Sequence, residues 1–224
     1  MNRLPAIVRQ HIAALRILIV FTVICGVIYP AIVLGISQVA FHNQANGSLV
    51  SDNGKIVGSS LLCQEFVDAK GNPLPQWFQP RPSDAIPAPA PKDDYGCDPT
   101  YSAASNLGPN NPTEVADIKA MQKEIEAFDH VSQSQIPPDA VTASGSGLDP
   151  DISPQNADIQ IARVAAARHL PVSQVQALVN KFTQGRNLGI LGEPRVDVLT
   201  LNIALAELPG QAQYNASPNA SSGS

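Results

Sequence analysis

From Ile17 to Phe41 the chain runs for 25 residues without Asp, Glu, Lys, Arg or His. Wound as a helix, that run is roughly 37 Å long, enough to cross a hydrocarbon core of about 30 Å with some tilt. Arg3, Arg9, His11 and Arg16 precede it, whereas beyond it the first ionisable groups are His42 and Asp52 and the first Lys is Lys55. Basic residues are retained on the cytoplasmic flank, so this asymmetry predicts an N-terminus inside and everything after Phe41 outside. Two other readings of the run fit less well. A cleaved signal peptide has an apolar core of about 7–15 residues and small residues before the cut; here Gln38 stands two positions before Ala40, and Asn43 two before Ala45. A buried core helix rarely runs so long without a charge. The run is read as a membrane anchor, with the lipid bilayer as its first partner.

Charge then bounds what the rest can do. All 19 acidic residues follow Phe41, against 11 of the 14 basic ones, which leaves that part with a formal charge of −8. An acidic surface argues against nucleic acid, whose phosphates demand a basic one. About 180 residues outside the span suffice for one domain with a modest core. Cys63 and Cys97 would lie in an oxidising compartment if this is a bacterial envelope protein, and pairing between them is open, because spacing alone does not bring two Cα atoms together.

Local patterns predict a mixed α+β domain. Asn53-Gly54 between Leu49-Val50 and Ile56-Val57 is a hairpin signal. Trp77-Phe78 is assigned to a small core, with a position near the membrane as the alternative. Pro87 to Pro91 reads as an extended surface spacer. Thr113 is read as the N-cap of a helix whose apolar stripe is Val115, Ile118, Met121, Ile125 and Phe128. Ser153-Pro154 opens a second helix, with Ala157, Ile161, Val164 and Ala165 inward and Arg163 and Arg168 available for contacts. Ser173 and Gln176 form a capping box for a third helix, carrying Val175, Leu178, Val179 and Phe182. A last helix covers Val198 to Leu208. The expected organisation is a cytoplasmic N-terminus over 1–14, a transmembrane helix over 15–41, and a soluble extracytoplasmic domain over 42–208 with short strands and several helices. A Pro-rich loop over 79–101 interrupts that domain, and 209–224 is a disordered tail.

Few motifs carry chemistry. Ser144-Gly145-Ser146-Gly147-Leu148-Asp149-Pro150 is a Gly/Ser loop of the kind that binds phosphate through backbone N–H groups. No Gly-Lys-Ser/Thr follows it and no apolar strand precedes it, so it is no Walker loop, and without Gly two positions before either serine it is no nucleophile elbow. The favoured reading is a tight loop packed close to another backbone. The four histidines have no partner at metal-ligand spacing, and Asp93-Asp94 (beside Lys92) and Asp149/Asp151 are read as caps, turns or solvated groups rather than acid/base pairs. An anchored envelope enzyme would need a nucleophile and a base that the sequence does not offer. In the span, Tyr29-Pro30 between Gly26 and Gly35 predicts a kink that packs against a neighbouring helix.

These segments, together and in order, resemble the C subunit of the bacterial Kdp-type potassium-transporting ATPase. The resemblance rests on Tyr29-Pro30, Gln44 to Leu49, Gly58-Ser59, Phe78 with Arg81-Pro82-Ser83, Ser105 to Pro109, Val141 to Pro150, Arg163-Val164, Leu191 to Val196, and Leu201 to Leu205. It spans roughly residues 15–207. The chain departs from the family pattern at Asp151, where His is usual, at Asp197, where Asn is usual, and at Cys63, where Gly is common. The Pro/Ala insert near 84–100 is also longer.

The resemblance implies a non-catalytic accessory subunit of an ATP-driven potassium uptake pump in the bacterial inner membrane. Its partners would be a channel-like potassium-binding subunit, a P-type ATPase subunit and a small single-span subunit. ATP and potassium would be handled by the complex, with no cofactor of its own. Gly26, Tyr29, Pro30, Gln44, Asn46, Arg81, Leu148, Asp149 and Pro150 are the expected partner contacts. The alternative the family implies is a catalytic chaperone that raises the ATP affinity of the ATPase subunit, with Ser144, Gly145, Ser146 and Gly147 at the nucleotide. Outward placement of residues 42–224 conflicts with that alternative, because ATP is cytosolic.

Overall fold

A computed structural model describes residues 5–86 and 96–208. Most of the Pro-rich insert, the last sixteen residues and the first four lie outside the described residues, so the expectations of an extended spacer and a disordered tail do too. The chain divides into two compact units after Ser48.

The first unit is one helical rod, and Ala6–Ala40 is long and apolar enough to cross a membrane. It comprises α1 (Ala6–Val23), a π-helical turn (Ile24–Ile28) and α2 (Tyr29–Ala40). The π turn sits where Pro30 demands it. Proline has no N–H to give to Gly26, and its ring would strike that carbonyl. Winding one residue wider moves the carbonyl aside, and the Tyr29 N–H reaches back five residues to Ile24. None of the rod's residues is buried, and its large aliphatic side chains are exposed on every side. A helix apolar all round needs an apolar solvent or a packed partner. After Phe41 a short helix, α3 (His42–Ala45), ends the unit. There the Asn46 side chain donates to the His42 carbonyl at 2.6 Å and to Gln38 Oε1 at 3.1 Å, closing a polar collar.

The second unit is mixed α+β. Strands β1 (Leu49–Asp52) and β2 (Lys55–Ser59) pair antiparallel, Asp52 facing Lys55. The two residues between them, Asn53 and Gly54, both take positive φ, as the right-handed twist of a tight hairpin requires. Helix α4 (Pro112–Asp129) starts two residues earlier than expected. Asn111 is the cap and accepts from the Thr113 N–H, because Pro112 is preorganised for the first helical position. Its apolar stripe is half-buried.

Strand β3 (Asp151–Ile152) leads into α5 (Pro154–Arg168), and Ser153 caps it as expected, accepting from the Asn156 N–H at 3.0 Å. Then come α6 (Val172–Phe182), β4 (Thr183–Gln184), β5 (Arg195–Asp197) and α7 (Val198–Ala206). Helix α6 begins at Val172, with Pro171 rather than Ser173 at its cap. His169 in the left-handed region ends α5 and Pro171 sets the new direction, so no capping box is needed. Gln176 instead donates to Asp158 Oδ1. The three short strands form a sheet in the order β3-β5-β4, antiparallel throughout.

The core lies between α5, α6, α7 and this sheet, with Phe66, Trp77 and Phe78 inserted into it. Phe78, Leu201 and Leu205 are fully buried, each side chain contributing about 1.5–3 kcal/mol by leaving water. The segment 75–79 enters the core without joining a sheet, so its peptide groups need other partners. Helix side chains supply them. Arg163 Nη1 donates to the carbonyls of Pro75 and Trp77, and Arg168 Nε to that of Gln76. Asn202 takes both the N–H and the C=O of Phe78, and Gln160 does the same for Gln79. Five consecutive carbonyls are thus held by four side chains in place of a strand.

Candidate functional site

The loop from Ser144 to Pro150 forms the rim of an open depression of about 610 Å³, completed by Leu61, Leu62, Arg81 and Ala143. The structure therefore brings together Ser144, Gly145, Ser146, Leu148, Asp149, Pro150 and Arg81. Gly147 lies beneath the loop, where φ is +70°, and a Cβ there would stand 2.5 Å from the Ala103 carbonyl and 2.9 Å from the Ala85 nitrogen. The close approach to a second backbone is real, and only glycine fits it. Gly145, by contrast, has open space around it, with nothing within 4 Å of an added Cβ.

The loop's own atoms satisfy much of its hydrogen bonding. The Gly147 N–H donates to the Ser144 carbonyl and the Leu148 N–H to Ser146 Oγ. The Ser146 carbonyl accepts from the Ala103 N–H and from Ser102 Oγ. Ser83 ties the underside: its hydroxyl donates to the Gly147 carbonyl at 2.6 Å and accepts from the Ala85 and Cys97 N–H groups. Cys97 is joined to Cys63 by a disulfide, with Cα atoms 5.5 Å apart. The Cys63 N–H in turn donates to the Leu148 carbonyl. The bridge thus staples residues 63 and 97 beneath the loop.

Arg81 makes four hydrogen bonds. Its Nη1 is 3.0 Å from Asp149 Oδ2, Nε and Nη2 both donate to the Thr142 carbonyl, and Nη2 also reaches that of Ala143. A guanidinium spent in this way fixes the loop's shape and has little left for a phosphate. The neighbouring acids add negative charge. Asp151, which pairs with Arg195 at 3.1 Å, has its carboxyl pushed up to about 6, first by burial and then by Asp197 and Asp149. Burial also raises Asp197, although it caps α7 by accepting from the Thr200 N–H. Asp151 and Asp197 face each other across the β3–β5 pair, so the two departures from the family pattern are one cross-strand feature.

The other expected contact residues lie in the first unit. Tyr29 is 65% exposed on the rod, and Pro30 follows the π turn. A Cβ added at Gly26 or Gly35 would meet nothing within 4 Å. Asn46 is a local cap, and the Gln44 carbonyl accepts from the Gly47 N–H. Sequence reasoning overlooked Ser83 as a loop tie, along with Asn202 and Gln160. The signal for Asn202 was available: one amide inside the apolar run Leu199–Leu205. Arg163 and Arg168, expected at a contact surface, are buried instead. Among the described residues no group of three or more His, Cys, Asp or Glu side chains gathers as a metal site.

The fold and the loop define a class of protein: a small α+β domain joined to one helix able to cross a membrane, with a rigid, self-bonded Gly/Ser rim as its most built surface. The chain belongs to the KdpC family, described as K+-transporting ATPase, c chain, which matches residues 11–207. It is 48% identical over 195 residues to a potassium-transporting ATPase KdpC subunit of Herpetosiphon aurantiacus, covering 87% of this chain and 94% of that one. A protein of the same description from Streptomyces avermitilis is 46% identical over 207 residues, covering 88% and 92%. One from Paraburkholderia phytofirmans is 47% identical over 189 residues, covering 84% and 92%.

Proposed function

We propose that this chain is a non-catalytic accessory subunit that assembles and stabilises a potassium-transporting ATPase. Its rod crosses the inner membrane with the N-terminus inside, and its α+β domain sits outside. The span packs on partner helices through the open backbone at Gly26 and Gly35 and the kink at Pro30. The outer domain rests on the channel-like subunit, while the P-type subunit and a small single-span subunit complete the complex. ATP and potassium belong to those partners. The Cys63–Cys97 bridge supports the outward placement, because disulfides persist in oxidising compartments. So do the arginines ahead of the span.

The observation that carries the assembly reading is the state of Arg81. With its donors on two carbonyls and Asp149, the Gly/Ser rim is a fixed surface for shape recognition. A phosphate cradle would need spare N–H groups and a spare cation. The second reading, nucleotide contact at Ser144–Gly147, remains the family's alternative and makes a different prediction.

The remaining pump subunits are purified from cells with and without this chain. Assembly predicts that they cease to co-purify in its absence. The chaperone reading predicts an intact partner complex with a raised KM for ATP. Gly145→Val gives a second arm, since the site has room for the side chain. Saturable ATP binding lost in this variant would favour nucleotide contact.

A further inference from the structure

Between β4 and β5 the chain forms a small projecting loop whose tip is aliphatic. Leu188 is 89% exposed, Ile190 75% and Leu191 56%. The tip is held rigid from within. Asn187 and Leu191 exchange both backbone hydrogen bonds, at 2.8 and 2.9 Å, and the Gly189 N–H donates to the Arg186 carbonyl. At its base Arg186 makes a two-pronged contact with both oxygens of Glu193, at 3.0 and 2.8 Å. Leu188 takes a φ of +54° beside Gly189 at +78°. A leucine in the left-handed region costs about 1 kcal/mol that Gly or Asn would avoid. This loop therefore keeps a strained leucine at the point where a large apolar group meets water.

We infer that the 187–191 tip is a preformed plug that inserts into an apolar pocket of another subunit of the same membrane complex. The inference rests on the assembly reading above. Three arguments select that occupant. A membrane-surface anchor uses Trp, Tyr or Phe with Lys or Arg around them; residues 187–192 are Asn, Leu, Gly, Ile, Leu and Gly, and the base is charge-balanced. Three side chains cover far less than the roughly 1,200–2,000 Å² that a free-standing interface buries. The partner must therefore already be held nearby, as a subunit anchored in the same bilayer is. A second copy of the chain meeting it tip to tip would oppose two convex points, which cannot interdigitate. Rigidity fits insertion, because a prefolded tip loses little entropy on binding and a central aliphatic anchor carries a disproportionate share of affinity.

The strain at Leu188 separates binding from folding. Leu188→Gly removes the side chain and relieves the backbone, so the full-length chain in detergent should melt at the same temperature as wild type or higher. Its capture of partner subunits should fall by about tenfold, the effect of losing one hot-spot contact. The triple variant Leu188→Gly, Ile190→Ser, Leu191→Ser should lower capture further than Leu188→Gly alone, leaving what the contacts of the span support. Undiminished capture by either variant would overturn the inference while leaving the assembly reading intact. Failure of wild type to capture any subunit would instead remove that reading, and this inference with it. A photoreactive residue in place of Leu188 gives an independent arm. A crosslink to another pump subunit is expected, and a crosslink to lipid or to a second copy would overturn the inference.

Discussion

Arg163 shows how much of this domain depends on single polar side chains. It ion-pairs with Asp129 at 2.6 Å, donates to two carbonyls and to Gln160, and lies 4.3 Å from the centre of the Phe128 ring. Burial lowers the Arg163 pKa and raises that of Asp129, so each charge persists through the other. Arg163→Ala should cost about 3–5 kcal/mol, since it removes the ion-pair partner of a buried carboxylate and a donor to two carbonyls; denaturant unfolding of the full chain checks this. Asp151 carries a pH signature. With a folded pKa near 6 against about 3.9 unfolded, the native state holds the extra proton between those values. Its contribution to stability is therefore full below about pH 4 and lost as pH rises through 6. Solvent at this half-exposed pair limits the effect to about 1 kcal/mol. The melting temperature should fall between pH 5 and 7.5, and Asp151→Asn should flatten that fall; an unchanged slope would contradict the assignment.

At the scale of elements, what was legible followed from local rules. The hairpin at Asn53-Gly54, the Ser153-Pro154 helix start and the inward faces of α5 and α6 were all readable, because turn chemistry and helical period are written in adjacent residues. The three-stranded sheet was not, since strands of two or three residues have no period to detect. The cradle around 75–79 was equally hidden. Its partners lie more than 80 residues away, and an arginine on a helix reads as solvent-facing until the carbonyls it holds are known. Of the candidate site, the Gly147 close approach could be anticipated, while the ties from Arg81 and Ser83 required the fold. That Pro30 disturbs the span was legible, whereas the form this takes, a π turn at Ile24–Ile28, was not. Pro30→Leu restores an N–H donor and lets the turn rewind as regular α-helix. It should leave membrane insertion intact and lower the yield of assembled complex in detergent by about tenfold, a loss of about 1.4 kcal/mol of packing. An unchanged yield would mean that the kink is not a packing surface.

At the scale of the whole molecule, the rod and the domain answer to different solvents. The rod has no buried residue and carries its apolar side chains exposed, whereas the domain has its own core, polar cradle and disulfide. If the domain faces outward, a membrane-impermeant thiol reagent applied to intact cells should label Cys63 and Cys97 only after reduction; labelling solely in lysed cells would invert the topology. The most direct test is capture of the tagged full-length chain from detergent-solubilised membranes of potassium-starved native cells, with every co-purifying chain identified. A P-type ATPase subunit and a polytopic channel-like subunit recovered in near-equal amounts is the predicted result. Recovery of the chain alone, from membranes that contain both, would contradict the account.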